Sequence, residues 1–341
     1  MEKQRKRILT GDRPTGKLHL GHYVGTLKNR VKLQYKYDTF ILIADVQALT
    51  THYETPGMLS QAVRDVALDY LAVGIDPNVA TICVQSLIPE IAELTVFYGL
   101  ITNMNKLRHN PTTKSEAMQL GLIDSEDLMT GFDQLTYGFF GYPVSQAADI
   151  TFVDADLVPV GKDQVPHIEL CRDIVKKFNG MFGTEITEPE ALVGEAFLHA
   201  LDGSAKMSKS LGNAIFLADD PAAVKAQVMK GVTDPARIHP TDPGTPEICN
   251  IYKYHQIFSL DIVDEIRDRC RAGTIGCVAC KMELYKRLEA LLSPIRAKRK
   301  EYEARPAEVD EILIEGTRKA RVEGAKTIAH VREKMGMAYF G

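Results

Sequence analysis

The segment RILTGDRPTGKLHLGHYVG, residues 7–25, joins a short apolar run to a glycine-rich turn that contains two histidines. The run 7–10 predicts a buried strand, and residues 23–32 predict a helix. A glycine-rich turn at the start of a helix offers unpaired N–H groups and the positive end of the helix dipole to an anion. His19 and His22 share one side of the first helical turn. The segment therefore predicts an anion site, with capping or surface histidines as the alternative.

The same alternation of apolar runs and amphipathic segments continues through the first half of the chain. Strands are predicted at residues 39–44, 81–85 and 157–160, and helices at 59–73, 90–104 and 164–178. Alternating strands and helices indicate a parallel sheet that is covered by helices on both faces. The predicted fold class is α/β, with a Rossmann-like doubly wound parallel sheet.

The strand signals end near residue 215. Helices with charged faces are predicted at 221–230, 261–271, 281–292 and 309–334, and the proline-rich residues 232–248 are predicted to form an ordered loop. The sequence thus predicts two domains, residues 1–215 and an all-helical domain of residues 216–341. Connective helices are expected inside the first domain at about 87–150, and the last helix is expected to pack back on that domain.

The composition excludes several classes of protein. The 341 residues are 45% hydrophobic and 25% charged, which excludes a disordered chain or a fibre. The apolar runs are far shorter than the ~20 residues of a membrane-spanning helix, and the basic start has no apolar signal region. We therefore expect a soluble cytoplasmic protein with no membrane partner. The net charge of −4 does not exclude a nucleic acid, because binding depends on a local patch.

A second candidate for phosphate binding is Lys206-Met207-Ser208-Lys209-Ser210, which follows the turn Asp202-Gly203-Ser204. Two lysines three residues apart in a glycine- and serine-rich loop can close on a polyphosphate as mobile point charges. A solvated loop before the helical domain is the alternative for this pentapeptide.

Taken together, the motifs resemble those of the class I aminoacyl-tRNA synthetases. The chain is similar in particular to the bacterial tryptophanyl-tRNA synthetases, from residue 7 to the C-terminus. The similarity is carried by GDRPTGKLHLGHYVG (11–25), YPVSQAADI (142–150), VPVGKDQ (158–164) with HIEL (167–170), and KMSKS (206–210). It implies an enzyme that activates tryptophan with ATP and Mg²⁺, releases pyrophosphate, and transfers tryptophan to the 3′ end of its tRNA.

The resemblance also implies which residues bind ATP. His19, His22, Lys206 and Lys209 are the expected catalytic residues, and Lys114 is a further candidate for a triphosphate contact, with a solvated surface lysine as the alternative. The full set of expected ATP contacts is Arg13, Pro14, Thr15, Gly21 and His22 at the turn, Gly161, Lys162 and Asp163 at the ribose, and Lys206, Met207, Ser208, Lys209 and Ser210 at the pyrophosphate.

Asp149 is the expected specificity residue for tryptophan. The indole N–H is the one donor of that side chain, and a carboxylate in an apolar pocket would accept it in a charge-assisted bond. By resemblance, Tyr142 and Gln164 hold the α-amino group of the substrate, and Gln146 lines the pocket one turn before Asp149. A surface or capping aspartate and a core tyrosine are the alternatives.

The cysteines predict a metal site in the helical domain. Cys249, Cys270, Cys277 and Cys280 crowd into a short segment, with the last pair expected to flank a two-residue turn. Four thiolates suit zinc or an iron–sulfur cluster, and unliganded thiols are the third possibility. The resemblance to a cluster-bearing subset of tryptophanyl-tRNA synthetases favours [4Fe–4S], with Zn²⁺ as the alternative.

The helical domain is implied to read the anticodon of the tRNA. Its basic run of Arg296, Lys298, Arg299 and Lys300 could meet phosphate, although such runs are often solvated helix faces. The resemblance further implies a homodimer. Two other functions remain open at this point: a tyrosyl-tRNA synthetase, which shares the fold, and a non-catalytic RNA-binding paralogue.

Overall fold

The sheet is parallel throughout. The computed structural model describes residues 5–125, 127–194, 198–204, 207 and 212–339. Within them, one five-stranded sheet has the order β3-β2-β1-β4-β5. The strands are β1 (Arg7–Asp12), β2 (Asp38–Ile43), β3 (Ala80–Val84), β4 (Leu157–Val160) and β5 (Glu190–Val193). The predicted doubly wound α/β class is confirmed, whereas β5 was not predicted because it is a short, half-exposed edge strand that begins with a charged residue.

The sheet order reverses beside β1. The chain builds β2 and β3 on one side of β1 and later adds β4 and β5 on the other side. In open parallel sheets of this kind, ligands bind in the crevice outside the carboxyl ends of the strands at such a switch point. Gly11 sits at the end of β1 against β2, and a Cβ there would lie 2.1 Å from the carbonyl oxygen of Leu42. The fold therefore places the glycine-rich turn at the expected ligand position.

Nine helices of the described chain precede residue 183. They are α1 (Leu20–His22), α2 (Lys28–Leu33), α3 (Asp45–His52), α4 (Leu59–Val73), α5 (Pro89–Ile101), α6 (Met104–Arg108), α7 (Pro111–Gln119), α8 (Tyr137–Thr151) and α9 (Val165–Phe182). The prediction of α4 is confirmed at both ends. The helix predicted at 23–32 is wrong in detail: it starts at Leu20, and a π-turn over Tyr23–Leu27 separates α1 from α2.

Five helices follow residue 220 in the described part of the chain. They are α10 (Pro221–Lys230), α11 (Asn250–Phe258), α12 (Val263–Arg271), α13 (Cys277–Glu303) and α14 (Pro306–Lys334). The prediction of α10 is confirmed, but the helix predicted at 281–292 is too short. Gly276 is in an extended conformation at the N-cap of α13, and the helix continues through Pro294.

The C-terminal helices share a core with the sheet. One buried cluster includes Ile43 of β2, Leu71 of α4, Val228 of α10 and Leu288 of α13. The last helix, α14, lies directly on β3: a Cβ at Gly316 would be 1.9 Å from the carbonyl oxygen of Ile82. The division at residue 215 stays a prediction. None of the described helices is long and apolar enough to cross a bilayer.

Candidate active site

A cavity of about 420 Å³ opens at the carboxyl ends of β1 and β4. The glycine-rich turn (residues 11–22), α8 and the loop after β4 all contribute to its walls. Eight of the predicted site residues line it, namely Arg13, Thr15, His22, Tyr142, Gln146, Asp149, Gly161 and Gln164. The structure thus brings residues from the turn and from the predicted tryptophan pocket to one space.

The remaining predicted residues do not line this cavity. His19 stacks near His22, with ring centroids 3.9 Å apart, and a Cβ on Gly21 would lie 3.7 Å from the sulfur of Met207. Met207 therefore lies beside the turn. Of the described predicted residues, those that do not line the cavity are Pro14, His19, Gly21, Lys114, Lys162, Asp163 and Met207. Lys206, Ser208, Lys209 and Ser210 lie outside the described residues.

The two histidines hold each other through the backbone. The N–H of Gly21 donates to Nδ1 of His19 (3.1 Å), and the N–H of His19 donates to Nδ1 of His22 (3.2 Å). Because both Nδ1 atoms are acceptors, each neutral ring carries its proton on Nε2. Burial, helped by the charge of His22, lowers the pKa of His19 to about 3. The pKa of His22 is also lowered by burial, although Asp12 opposes this. The pair can therefore offer neutral Nε2–H donors to an anion.

Behind the turn lies a buried polar group that the sequence did not indicate. Nη1 of Arg30 and the hydroxyl of Tyr70 donate to Oδ2 of Asp12, at 2.5 and 2.7 Å, and Nη2 of Arg30 donates to the carbonyl oxygen of Gly11. Burial by itself would raise the pKa of Asp12, but the charge of Arg30 and these bonds hold it below its usual range. Asp12 is therefore an ionised, fully paired carboxylate. Its partners are distant in sequence, so no local pattern could have revealed them.

Asp149 lies on α8 and is 5% exposed. Nε2 of Gln85 donates to its Oδ1 at 2.6 Å, and Oε1 of the same amide accepts the N–H of Gln47. Burial raises the pKa of Asp149 to about 7; the bond from Gln85 opposes this shift and the charge of Asp45 adds to it. A carboxylate has more acceptor sites than one amide fills, so Asp149 can accept a further donor from a ligand.

Tyr142 is held by a further histidine, His167. Its hydroxyl lies 3.1 Å from Nε2 of His167, whose Nδ1 lies 3.3 Å from the amide nitrogen of Asn110. Since that amide nitrogen can only donate, Nε2 of His167 carries the ring proton and donates to the tyrosine hydroxyl. Burial lowers the pKa of His167 to about 4, which keeps the ring neutral. Tyr142 is thus fixed at the cavity wall, where Glu116 also forms a hydrogen bond with its hydroxyl.

Arg13 reaches across the mouth of the cavity. Its Nη1 lies 2.7 Å from Oε1 of Glu116 on α7. Lys114, on the same helix, is half-buried and acts electrostatically on Asp127, away from the cavity lining. Glu116 was missed in the sequence because its pairing with Arg13 depends on how α7 packs against the sheet.

The four cysteines converge from three helices. Cys249 caps α11, Cys270 lies in α12, and Cys277 and Cys280 lie in the first turn of α13. The predicted two-residue turn between the last pair is therefore wrong, because the helix begins at Cys277. Burial raises the pKa of Cys280 to about 12, and the charges of the other three thiols add to the shift. Across the described residues, no cluster of three or more metal-binding side chains is arranged around a single ion.

The basic run near residue 299 does not form a cationic surface. Arg299 is 3% exposed and pairs with Asp65 and Asp69, and Arg296 pairs with Glu289. Only Lys300 of the run is fully exposed, and Lys298 is half-buried. Arg296 and Arg299 are thus paired within the protein, and a phosphate contact stays a hypothesis for Lys298 and Lys300.

Comparisons with known proteins give a consistent result. Residues 1–293 match the family described as tRNA synthetases class I (W and Y). The chain is 48% identical to the tryptophan–tRNA ligase of Clostridium longisporum over 98% of this chain and 97% of that protein. It is 40% identical to the tryptophan–tRNA ligase of Aquifex aeolicus, over 97% of this chain and all of that protein. Among solved structures, tryptophanyl-tRNA synthetase from Campylobacter jejuni, complexed with ADP and tryptophan, superposes with a TM-score of 0.83 at 34% identity, covering 97% of this chain and 99% of that chain.

Proposed function

The chain belongs to the class I tRNA synthetases for tryptophan and tyrosine, and from this membership we propose that it is a tryptophan–tRNA ligase. The observation that carries the proposal is one cavity that is lined both by His22, whose ring centroid lies 3.9 Å from that of His19, and by the buried carboxylate of Asp149. The first site suits phosphate, and the second suits an apolar side chain with one N–H donor. Near-full-length identity to tryptophan–tRNA ligases supports the choice of tryptophan over tyrosine.

In the proposed first step, ATP enters as its magnesium complex along the glycine-rich turn. The Nε2–H groups of His19 and His22 donate to phosphate oxygens, and the loop residues Gly161, Lys162 and Asp163 hold the ribose. The carboxylate of tryptophan attacks the α-phosphorus, a new acyl–phosphate bond forms, and pyrophosphate leaves with the electrons of the broken P–O bond. Neutral donors suit this step because they stabilise charge that develops on oxygen without needing to titrate.

Tryptophan would lie deeper in the cavity. Asp149 accepts its indole N–H, Tyr142 and Gln164 lie at its α-amino group, and Gln146 lies against the ring. The bond from Gln85 fixes the position of Asp149 before the substrate arrives, so little reorganisation is needed on binding. An amino acid without a side-chain donor would leave this carboxylate buried and unpaired, which opposes its activation.

The lysine–serine segment, residues 206–210, binds the departing pyrophosphate in this scheme. Lys206 and Lys209, with Met207, Ser208 and Ser210, grip it as charge moves onto it. Met207, the described residue of this segment, supports the assignment because it is buried and its sulfur lies beside Gly21. Lys114 is a further contact to the triphosphate. The acyl group then passes to the terminal adenosine of the tRNA. Residues 216–341 of the protein read the anticodon of that tRNA, and the enzyme acts as a cytoplasmic homodimer.

The proposal extends to a [4Fe–4S] cluster on Cys249, Cys270, Cys277 and Cys280. The mutual electrostatic effect of these thiols supports it, because a bound cation would relieve it. Gly244 also leaves space at the sulfur of Cys270, where a Cβ would intrude to 2.7 Å. A single zinc ion draws its sulfurs to about 2.3 Å from one point. The described side chains include no group of three or more arranged for a single ion, so the choice of a cluster over zinc rests on the sequence resemblance.

Metal analysis tests the cluster. Anaerobically purified protein should be brown, absorb broadly near ~400 nm, and contain about four iron atoms per chain. Cys277→Ser should lose the iron, whereas Cys171→Ala, which changes a buried cysteine of α9, should keep it. Colourless protein with one zinc would overturn the iron assignment, and protein with neither metal would overturn the site.

Amino-acid-dependent exchange of pyrophosphate into ATP tests the main proposal. The protein should support exchange with tryptophan and with none of the other nineteen standard amino acids. Exchange with tyrosine instead would assign the tyrosine enzyme, and no exchange with any amino acid would favour the non-catalytic RNA-binding paralogue.

A further inference from the structure

Arg299 of helix α13 connects this helix to α4 inside the protein. Its Nη1 lies 2.5 Å from Oδ1 of Asp69, its Nη2 lies 2.6 Å from Oδ1 of Asp65, and Nη1 also donates to the carbonyl oxygen of Asp65. Glu303 binds Nε of the same guanidinium, at 2.9 Å. Arg299 is therefore fixed by contacts at all three of its nitrogens.

Asp69 passes this contact to the active-site turn. Its side chain has no solvent exposure, and its second oxygen, Oδ2, accepts the backbone N–H of Leu18 at 2.7 Å. Leu18 immediately precedes His19. Its carbonyl oxygen is also held, by the N–H of Leu217. One carboxylate thus links a guanidinium of α13 to the residue that carries the first histidine.

The neighbouring residue on α4 holds the other end of the turn. Tyr70 donates to Asp12, which is paired with Arg30, so Asp69 and Tyr70 together fix the turn on both sides of residues 13–17. A buried carboxylate that loses its cationic partner is left uncompensated and must gain a proton or move. Loss of Arg299 would therefore act on Leu18 and His19 and leave the bond between Gln85 and Asp149 in place.

We propose that the Arg299–Asp69 pair is a positioning element. Through it, helix α13 fixes the position of His19 for adenylate formation. The proposal rests on the function proposed above. Cys277 and Cys280 lie at the first turn of the same helix, about 33 and 29 Å from Arg299 at 1.5 Å per residue. Through this pair, the seating of α13 against α4 determines the geometry of the turn that receives ATP.

The test separates positioning from general stability. Arg299→Met should lower kcat for tryptophan-dependent pyrophosphate exchange by about ten-fold or more, because small displacements of catalytic groups are costly. KM for tryptophan should change by less than about two-fold, since Asp149 is held separately. Arg299→Lys keeps the charge without the fork of donors and should give an intermediate kcat.

Arg64→Met is the matched control. Arg64 also lies on α4 and pairs at 2.8 Å with Asp310 of α14, but both side chains are 41% exposed. This variant should keep kcat within about two-fold, as expected for a surface pair. Asp69→Asn combined with Arg299→Met should lower kcat no further than the worse single variant, because the two residues act on the turn as one unit.

The outcomes distinguish this inference from the function on which it rests. If the unchanged protein exchanges no amino acid, the proposed function fails. If it exchanges tryptophan and folded Arg299→Met or Arg299→Lys keeps kcat, only the positioning role is overturned. Equal losses in Arg64→Met, or additive losses in the double variant, would also overturn it, because they would indicate a general loss of stability.

Discussion

Two polar walls of the cavity each contain a largely buried carboxylate, and the pKa values of these two carboxylates are shifted in opposite directions. At the glycine-rich turn, Asp12 is bonded to the cation of Arg30 and to Tyr70, and its pKa lies below the usual range. At α8, Asp149 is bonded to the neutral amide of Gln85, and burial raises its pKa to about 7. The first carboxylate is satisfied by the protein itself and holds a structure in place. The second keeps acceptor capacity, which is what a residue that recognises a ligand requires.

Removing the cation at the first wall should have the largest effect. Arg30→Met leaves Asp12 in a largely buried site without its charge partner, and we expect a loss of about 3–5 kcal/mol in the free energy of unfolding. Urea denaturation measures this loss. Adding Asp12→Asn should recover much of it, because the uncompensated charge is then gone. A loss below about 1 kcal/mol would mean that the pair is no more than a surface ion pair in effect.

The corresponding change at the second wall should affect activity and spare the fold. Asp149→Asn keeps an acceptor oxygen but removes the negative charge, so kcat/KM for tryptophan should fall by about 2–4 kcal/mol expressed as free energy. The free energy of unfolding at neutral pH should stay the same or rise, because burial disfavours the ionised acid. Pyrophosphate exchange and denaturation of the same preparation provide both numbers. Unchanged tryptophan kinetics would contradict the proposal that Asp149 binds the indole N–H.

The raised pKa of Asp149 predicts opposite pH trends for activity and stability. The ionised form binds the indole N–H, so kcat/KM for tryptophan should rise about ten-fold from pH 6 to pH 8, across a pKa of about 7. The pKa of His19 is lowered to about 3, so this residue stays neutral over the interval, and burial lowers the pKa of His22 as well.

Stability should move the other way. An acid whose folded pKa is raised contributes stability below its unfolded pKa, near ~4, and loses it as pH rises through the folded value. Relative to Asp149→Asn, the unchanged protein should therefore become less stable as pH rises from about 4 to about 7. A flat difference in unfolding free energy over this interval would contradict the raised pKa.

The smallest expected effect is that of a single hydroxyl. Tyr70→Phe removes one donor to Asp12 but leaves Arg30 in place, so we expect a loss of about 1 kcal/mol in the free energy of unfolding. Thermal or urea unfolding can detect it. A loss as large as that of Arg30→Met would show that the hydroxyl, and not the guanidinium, compensates Asp12.

Local patterns predicted those parts of the molecule that depend on neighbours in sequence. Helix α4 was predicted at both ends because its apolar spacing ends at Gly74, which has a left-handed conformation. The bonds from Arg30 and Tyr70 to Asp12 could not be predicted, since 18 and 58 residues separate the partners. The two-residue turn predicted between Cys277 and Cys280 was wrong, because Gly276 is the N-cap of α13 and the helix begins at Cys277. The predicted roles of the site residues stay predictions until the variants are measured.

The contact between α14 and β3 has a consequence for the order of events during synthesis. β3 lies at the edge of the sheet, and the N–H of Val84 donates to the hydroxyl of Thr317, near the end of the chain. At ~5–20 residues per second, a ribosome needs tens of seconds to go from one to the other. During that time a strand edge rich in β-branched residues has no covering helix. The nascent chain is therefore exposed to pairing with other chains over this interval, and a chaperone that shields β3 would be of most use then.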